Sequence, residues 1–422
     1  MRLYFVPKQE LDKIKDQAVM LDALRLNVLY MVQQAGSGHL GGSLSSLTVM
    51  VPLFFDEMWS EDIFITSKGH DAPALYACLQ AKGTIPFETI HTLRRPGGLP
   101  GHPTVEVPGI MFNTGSLGMG ISKANGLALA DRMNGIERKI HVLVGDGECE
   151  EGQFYESINR LQENVIVHID SNKLALAHET FPINVSESCK DIRVHETVKG
   201  SGISFMENRN EYHAGALNSM EYGQAIAELC SLLDQAGIKY ESREKQPYER
   251  PCESFTFAKA YPSILAVIGK NKRVLVMDAD LEPDCGLSTF KSLYPDRFIQ
   301  CGITEQDMVS SATGLSAGGF IPIVHSFAAL ICRRANEQIY NACLEGRHIV
   351  FVGAMAGMLP TGPGTSHECL HDVELMKTMP GMTVLVPGDV DQLDAAMKWA
   401  VMETTGPVYV SIRCWEMEGM RR

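Results

Sequence analysis

The sequence predicts an α/β protein of two doubly wound domains with mainly parallel sheets. Two observations carry that expectation. The first is a set of short runs, IHVLVG, NVIVHID, RVLVMDAD, RHIVFVGA, TVLVPG and PVYVSIR, rich in valine and isoleucine and apolar at nearly every position. Such runs suit strands buried on both faces, as in a parallel sheet covered by helices. The second is what separates them. Stretches such as ISKANGLALADRM and MVSSATGLSAGGF have helical composition, so strands and helices alternate along the chain.

Taken in order, residues 11–35 place Ile14, Ala18, Leu21, Leu24, Val28, Met31 and Val32 at helical spacing, which predicts an amphipathic helix. It runs into AGSGHLGGSLS, where Gly36, Gly38 and Gly41 formally spell GxGxxG. A dinucleotide fingerprint needs a strand before that loop, and here a helix precedes it. The stretch 235–252, QAGIKYESREKQPYERPC, is charged, holds two prolines and has no apolar face. It reads as a linker, so the expected domains are 1–240 and 253–416, with a linker at 241–252 and a tail at 417–422.

Composition narrows the function. The 422 residues suffice for two or three cores, and the formal charge of -14 argues against nucleic acid or an anionic membrane as the main partner. A phosphate-bearing ligand stays open, because one bound divalent cation inverts a local field. The 11 scattered cysteines include no Cys-x-x-Cys, and the first residues carry no apolar leader. Together these predict reduced thiols in a cytoplasmic protein. No apolar run approaches the roughly 18 residues of a membrane span.

The chemistry concentrates in IHVLVGDGECEEGQFYESINRLQENVIVHIDSNK, residues 140–173. Asp146 lies just past one buried run, where open α/β sheets bind ligands, and Gly145 and Gly147 admit a close backbone approach. The helix GQFYESINRL that follows can point amides at an anion. Asn172 lies just past the next run, so a carboxylate and an amide oxygen would converge from neighbouring strand ends. Hard oxygens that leave positions open for phosphate suit Mg2+ or Ca2+. By itself Gly-Asp-Gly reads first as a strand-to-helix turn, and the Asn at this spacing reverses that in favour of the metal. Glu148 and Glu150 are expected to be solvated.

Gly-Asp-Gly followed by that Asn resembles the thiamine-diphosphate motif. The flanking stretches AGSGHLGGSLS, ITSKGHDAPALYACL, GHPTVEVPGIMFNTGSLGMGISKANGLALA, TVKGSGISFMENRNEYHAGAL and GITEQDMV are similar to transketolase motifs, in the family order, from about residue 10 to residue 413. The resemblance implies the thiamine-diphosphate-binding fold, its first domain shortened, with a diphosphate-binding domain at 1–240 and a pyrimidine-binding domain at 253–416. It implies a metal on Asp146, Asn172 and the Leu174 carbonyl, with Gly147 beside the diphosphate. Gly115 would contact the pyrimidine, Leu117 would bend the cofactor, Asp280 would lie near the thiazolium and Phe327 near the pyrimidine, with Leu330 at the usual stacking position. Glu305 would hold the proton on the pyrimidine N1′. Its plainer reading is a helix start, with Thr304 as cap and Asp307 closing a capping box. His39, His70, His102 and His213 would handle sugar hydroxyls, and His367 would sit near the cofactor amino group. His91, His141, His168 and His348 read as surface or satisfied core residues. Glu151 matches an interface glutamate, and the family's site lies between subunits, which implies a homodimer.

Three departures shape the expected activity. The chain ends just after the second domain, where full-length transketolases carry a third. The stretch from Asn172 to Thr197 is short. The places that hold the donor phosphate read Ser254 and Asp284, with Arg250, Arg273 and Arg413 the nearest arginines. The expected function is transfer of a two-carbon ketol unit from a ketose or hydroxypyruvate-type donor to an aldehyde. The alternatives are a 2-oxo acid decarboxylase or acyloin synthase of the same superfamily, and an inactive scaffold homologue.

Overall fold

The computed structural model describes residues 1–183, 191–247, 256–357 and 364–413. The chain divides into two compact units. The first comprises Met1–Ala175, Glu179–Glu249 and Thr361–Ser366, and the second Leu176–His178, Arg250–Pro360 and His367–Arg422.

The first unit holds β1 (Arg2–Phe5), β2 (Ile63–Thr66), β3 (Ile140–Gly145), β4 (Val165–Ser171), β5 (Ile192–Glu196) and β6 (Glu241–Glu244). Strands β2-β3-β4-β5 form a parallel sheet in that order. Every residue of β3 and β4 is buried, as their unbroken apolar runs require. Val142, Val144, Val165, Val167 and Ile169 pack with Phe154 and Ile121 in one core. Leu143 points the other way, into a core shared with the helices Gln17–Ala35, Leu40–Pro52 and Ala72–Lys82.

Three expectations change here. The first long helix begins at Gln17, where the Asp16 carboxylate caps the amides of Ala18 and Val19. It is not amphipathic along most of its length, because every residue from Ala23 to Ala35 is buried. It contacts β1 and three other helices, so no face of that stretch remains for water. The stretch expected to be a linker opens with β6, which pairs antiparallel with β1. All four β6 side chains are exposed, which is why no apolar face announces the strand. Residues 248–255 of that stretch, and Ser254 with it, lie outside the described residues, as does the tail.

The second unit holds β7 (Val274–Asp278), β8 (Phe298–Gln300), β9 (Ile321–Phe327), β10 (Val350–Ala356), β11 (Thr383–Leu385) and β12 (Val408–Arg413). They form one parallel sheet in the order β11-β12-β10-β9-β7-β8. Val276, Ile323, Val352 and Val410 join one core, while Met277, Val324, Phe351 and Tyr409 join another. Alternate residues of the same strands thus enter opposite cores, the physical meaning of a doubly wound sheet.

Candidate active site

In the first unit the loops after β3 and β4 meet. Asp146 is buried, and its carboxylate accepts hydrogen bonds from the amides of Gly147 (2.9 Å) and Lys173. Lys173 has φ +65°, a left-handed conformation that the bond to Asp146 helps to hold. The Asn172 side-chain oxygen accepts from the Leu174 amide at 3.2 Å. Lys199 Nζ donates to the carbonyls of Leu174 (3.0 Å) and Ala175 (2.7 Å) and to Asn210 Oδ1 (3.1 Å). Asp146, Asn172 and Leu174 are therefore gathered by bonds of the loop itself. Burial pushes the Asp146 carboxyl above the usual range, opposed by the Lys173 amide.

The donors fit a hard cation that is completed by its ligand. Among the described residues no three His, Cys, Asp or Glu side chains form a metal cage. One carboxylate, one amide oxygen and a carbonyl with a lone pair to spare are an incomplete oxygen set, of the kind Mg2+ shares with phosphate.

Beneath these loops lies a buried ion pair that the sequence did not reveal. Lys68 Nζ donates to Asp170 Oδ2 and to Ser46 Oγ (2.9 Å), and Asp170 also accepts from Ser45 Oγ (2.8 Å) and Thr197 Oγ1. Every charge there is answered, the condition under which a buried pair is tolerated. Lys68 and Lys199 both sit in family-like motifs, SKGH and TVKG, but nothing local in the sequence marks either as buried.

The acidic run after β3 is the clearest correction. Glu148, expected in solvent, is 2 % exposed. It accepts from Ser67 Oγ, from the Gly118 amide (2.8 Å) and from the Gly145 amide (3.3 Å). Gly145 is local, but Ser67 and Gly118 come from two other loops, so the burial is decided by tertiary contacts. Glu150 is half-buried and accepts from the Phe181 amide at 2.9 Å. Glu151 is buried against Gly118. The helix after this run is the seven-residue Gly152–Ile158.

Four histidines expected to act together do cluster. The His39 ring centroid lies 5.4 Å from His70, 5.9 Å from His102 and 5.6 Å from His213, and His70 lies 5.8 Å from His213. Glycines make the loops fit. A Cβ on Gly69 (φ +65°) would fall 2.4 Å from the Gly115 amide, and one on Gly115 (φ +114°) 2.6 Å from the His102 ring. Leu117, two residues on, is half-buried. Desolvation holds His70 and His213 well below the usual imidazole range, so both are neutral. Among the described residues His213 Nδ1 meets no hydrogen-bond partner.

In the second unit Glu305 opens the helix Glu305–Ala317 and is 1 % exposed, paired with Arg334 at 3.2 Å. The capping box does not form. The Thr304 hydroxyl donates to the Cys301 carbonyl and makes no side-chain cap bond to the helix, so Thr304 and Asp307 do not close the expected box. Phe327 ends β9, with the His367 ring 5.7 Å away edge-on, and Leu330 lies half-buried in the following helix. Asp280 (φ +61°) accepts from the amides of Leu176 (2.8 Å) and Ala177 (2.6 Å), and lies 2.9 Å from His178 Nδ1. Nearby Asp278, missed in the sequence, is pushed by burial up to about 7. Asp284 is exposed.

Residues 16–193 match the thiamine diphosphate binding domain of transketolase, and residues 253–413 match the transketolase pyrimidine binding domain. Transketolase from Homo sapiens is 29% identical over 469 residues, covering 95% of this chain and 74% of that protein. One of the subunits of the apulose-4-phosphate transketolase of Phocaeicola vulgatus is 34% identical over 260 residues, covering 50% of this chain and 92% of that protein. A crystal structure of transketolase from Campylobacter jejuni aligns over 95% of this chain and 79% of its own, at 21% identity and a TM-score of 0.46. With a thiamine diphosphate binding domain followed by a pyrimidine binding domain, the chain belongs to the transketolase family.

Proposed function

We propose that the protein transfers a two-carbon ketol unit from a ketose or hydroxypyruvate-type donor to an aldehyde acceptor. The observation that carries this reading is the cluster of four histidines, two of them held neutral, in the unit that also bears Asp146. A neutral imidazole both accepts and donates a proton, which suits cleavage and formation of a C–C bond flanked by hydroxyls. Bound thiamine diphosphate supplies the nucleophilic carbon of its thiazolium ring.

In this reading Asp146, Asn172 and the Leu174 carbonyl hold Mg2+ or Ca2+, and Gly147 lies at the diphosphate. Glu305 holds a proton at the pyrimidine N1′, in keeping with a carboxylate removed from water. Gly115, Leu117 and Phe327 shape the pyrimidine site, Asp280 orients the thiazolium side, and His367 lies by the amino group. His39, His70, His102 and His213 bind and deprotonate sugar hydroxyls. We further propose a cytoplasmic homodimer with Glu151 at its interface. Its reducing setting agrees with the eight described cysteines, all free thiols. Among the described residues no helix is long and apolar enough to cross a membrane.

For the donor we favour an unphosphorylated or small ketose or 2-oxo acid, because Asp284 at the aligned position would repel a phosphate at short range. Xylulose 5-phosphate turned over as well as hydroxypyruvate would sink that choice. The main test is a donor–acceptor screen with product masses. A ketose two carbons longer than the acceptor is expected. Carbon dioxide without a coupled product would favour a decarboxylase, and no calorimetric binding of thiamine diphosphate with Mg2+ would leave a scaffold. Glu305→Gln is expected to lower kcat by about 10²–10⁴-fold.

A further inference from the structure

We propose that Glu148 is a positioning residue for the cofactor site, fixing three loops against one another through a single carboxylate. The inference rests on the reading that this site binds thiamine diphosphate. One carboxylate oxygen accepts from Ser67 Oγ and from the Gly118 amide at 2.8 Å, and the other accepts from the Gly145 amide at 3.3 Å. Ser67 Oγ in turn accepts from the Gly120 amide at 3.0 Å, the first residue of the helix Gly120–Asn134.

Each donor stands within three residues of a group assigned to the site. Ser67 precedes His70 in SKGH, Gly118 closes the TGSLG segment of Gly115 and Leu117, and Gly145 immediately precedes Asp146. A shift of any one loop breaks a hydrogen bond to a buried charge. The contact between loops is close elsewhere too, since a Cβ on Gly120 would fall 2.4 Å from Ser67 Cβ. A carboxylate suits the task because it offers acceptors in two directions and no donor. With both oxygens taken by backbone and hydroxyl donors, Glu148 holds the ligand-bearing loops rather than meeting the ligand. A glutamine would keep one accepting oxygen and turn an amide donor toward another donor, so its effect should be partial.

The test is calorimetric titration of the full chain with thiamine diphosphate and Mg2+, beside kcat at saturating cofactor. Groups that orient a ligand's direct contacts typically change affinity by about 10–100-fold, and E148A is expected to weaken cofactor binding by that amount. E148Q should fall between E148A and the parent. Glu150→Ala, in the same acidic run, should bind like the parent, and kcat at saturation should be retained in all three. Should E148A fail to fold, Ser67→Ala removes one of the three donors and should weaken binding in the same direction. Parental affinity in E148A, or in S67A and E148Q together, overturns the clamp while leaving the cofactor reading intact. Absence of binding by the unsubstituted protein overturns the cofactor reading and the clamp with it.

Discussion

The first unit contains two groups of histidines, and they spend their nitrogens differently. His39, His70, His102 and His213 gather on loops, with centroids 5.4–5.9 Å apart, and His213 Nδ1 meets no partner among the described residues. His141, His168 and His195 instead lie side by side on β3, β4 and β5, each 27 residues from the next. Their rings stack at 5.3 and 5.2 Å. His141 Nδ1 meets His168 Nε2, and His168 Nδ1 meets His195 Nε2, both at 3.0 Å. The central ring has both nitrogens engaged by its neighbours. The difference teaches that histidines gathered by loops bond outward, His70 Nδ1 meeting the Lys68 carbonyl at 3.0 Å, while histidines on neighbouring strands bond one another. The row ties three strands together and leaves His141 Nε2 without a hydrogen-bond partner among the described residues.

The largest expected contrast is in catalysis. His70→Ala or His213→Ala should lower kcat/KM by about 10²–10⁴-fold in the donor–acceptor assay, with little change in the unfolding midpoint. An equal loss of activity per folded molecule in His168→Leu would break the distinction. The next effect is on stability. His168→Leu strands the buried His141 Nδ1 and the half-buried His195 Nε2, and the buried one alone costs about 1–3 kcal/mol, measurable by urea unfolding. The effect of pH is smaller over an accessible range. Burial, and then its two histidine neighbours, hold His168 down to about 3, against an ordinary value of 6.5. The unfolded chain therefore takes up a proton that the folded row refuses, so its contribution is complete above pH 6.5 and is lost progressively as pH falls toward 3. About 1 kcal/mol should disappear between pH 6.5 and 5.5, and His168→Leu should remove that slope. The smallest effect concerns the end of the row. Asp62 Oδ2 lies 3.9 Å from His141 Nε2, too far for a hydrogen bond, while Asp62 also accepts from the amides of Trp59 and Lys139. Asp62→Asn should cost about 0.5–1.5 kcal/mol, through one of those amide bonds and not through the row.

The placing of the candidate site on neighbouring strand ends was legible because loop motifs are local. Gly-Asp-Gly at the end of one apolar run and Asn172 at the end of the next mark adjacent strand ends, and β3 and β4 do pair in register. The strands themselves were legible because burial on both faces leaves unbroken apolar runs. Glu148 was not legible. Its two partners outside the acidic loop, Ser67 and Gly118, stand 81 and 30 residues away, and without them a glutamate among acids reads as solvated. Nor was the pairing of β1 with β6, whose partners stand more than 200 residues apart and whose side chains in β6 face water.

By itself the sequence determined the class of fold, the succession of two transketolase domains and the residue types that chemistry requires, since apolar periodicity and short motifs depend on near neighbours. Only the tertiary structure decided which charged and polar groups are answered. Lys68 finds Asp170, Arg334 finds Glu305, Glu148 finds Ser67 and Gly118, and the histidines of three neighbouring strands find one another. Desolvation penalises every one of these groups alike, and whether it is tolerated depends on partners that only folding brings within hydrogen-bonding distance.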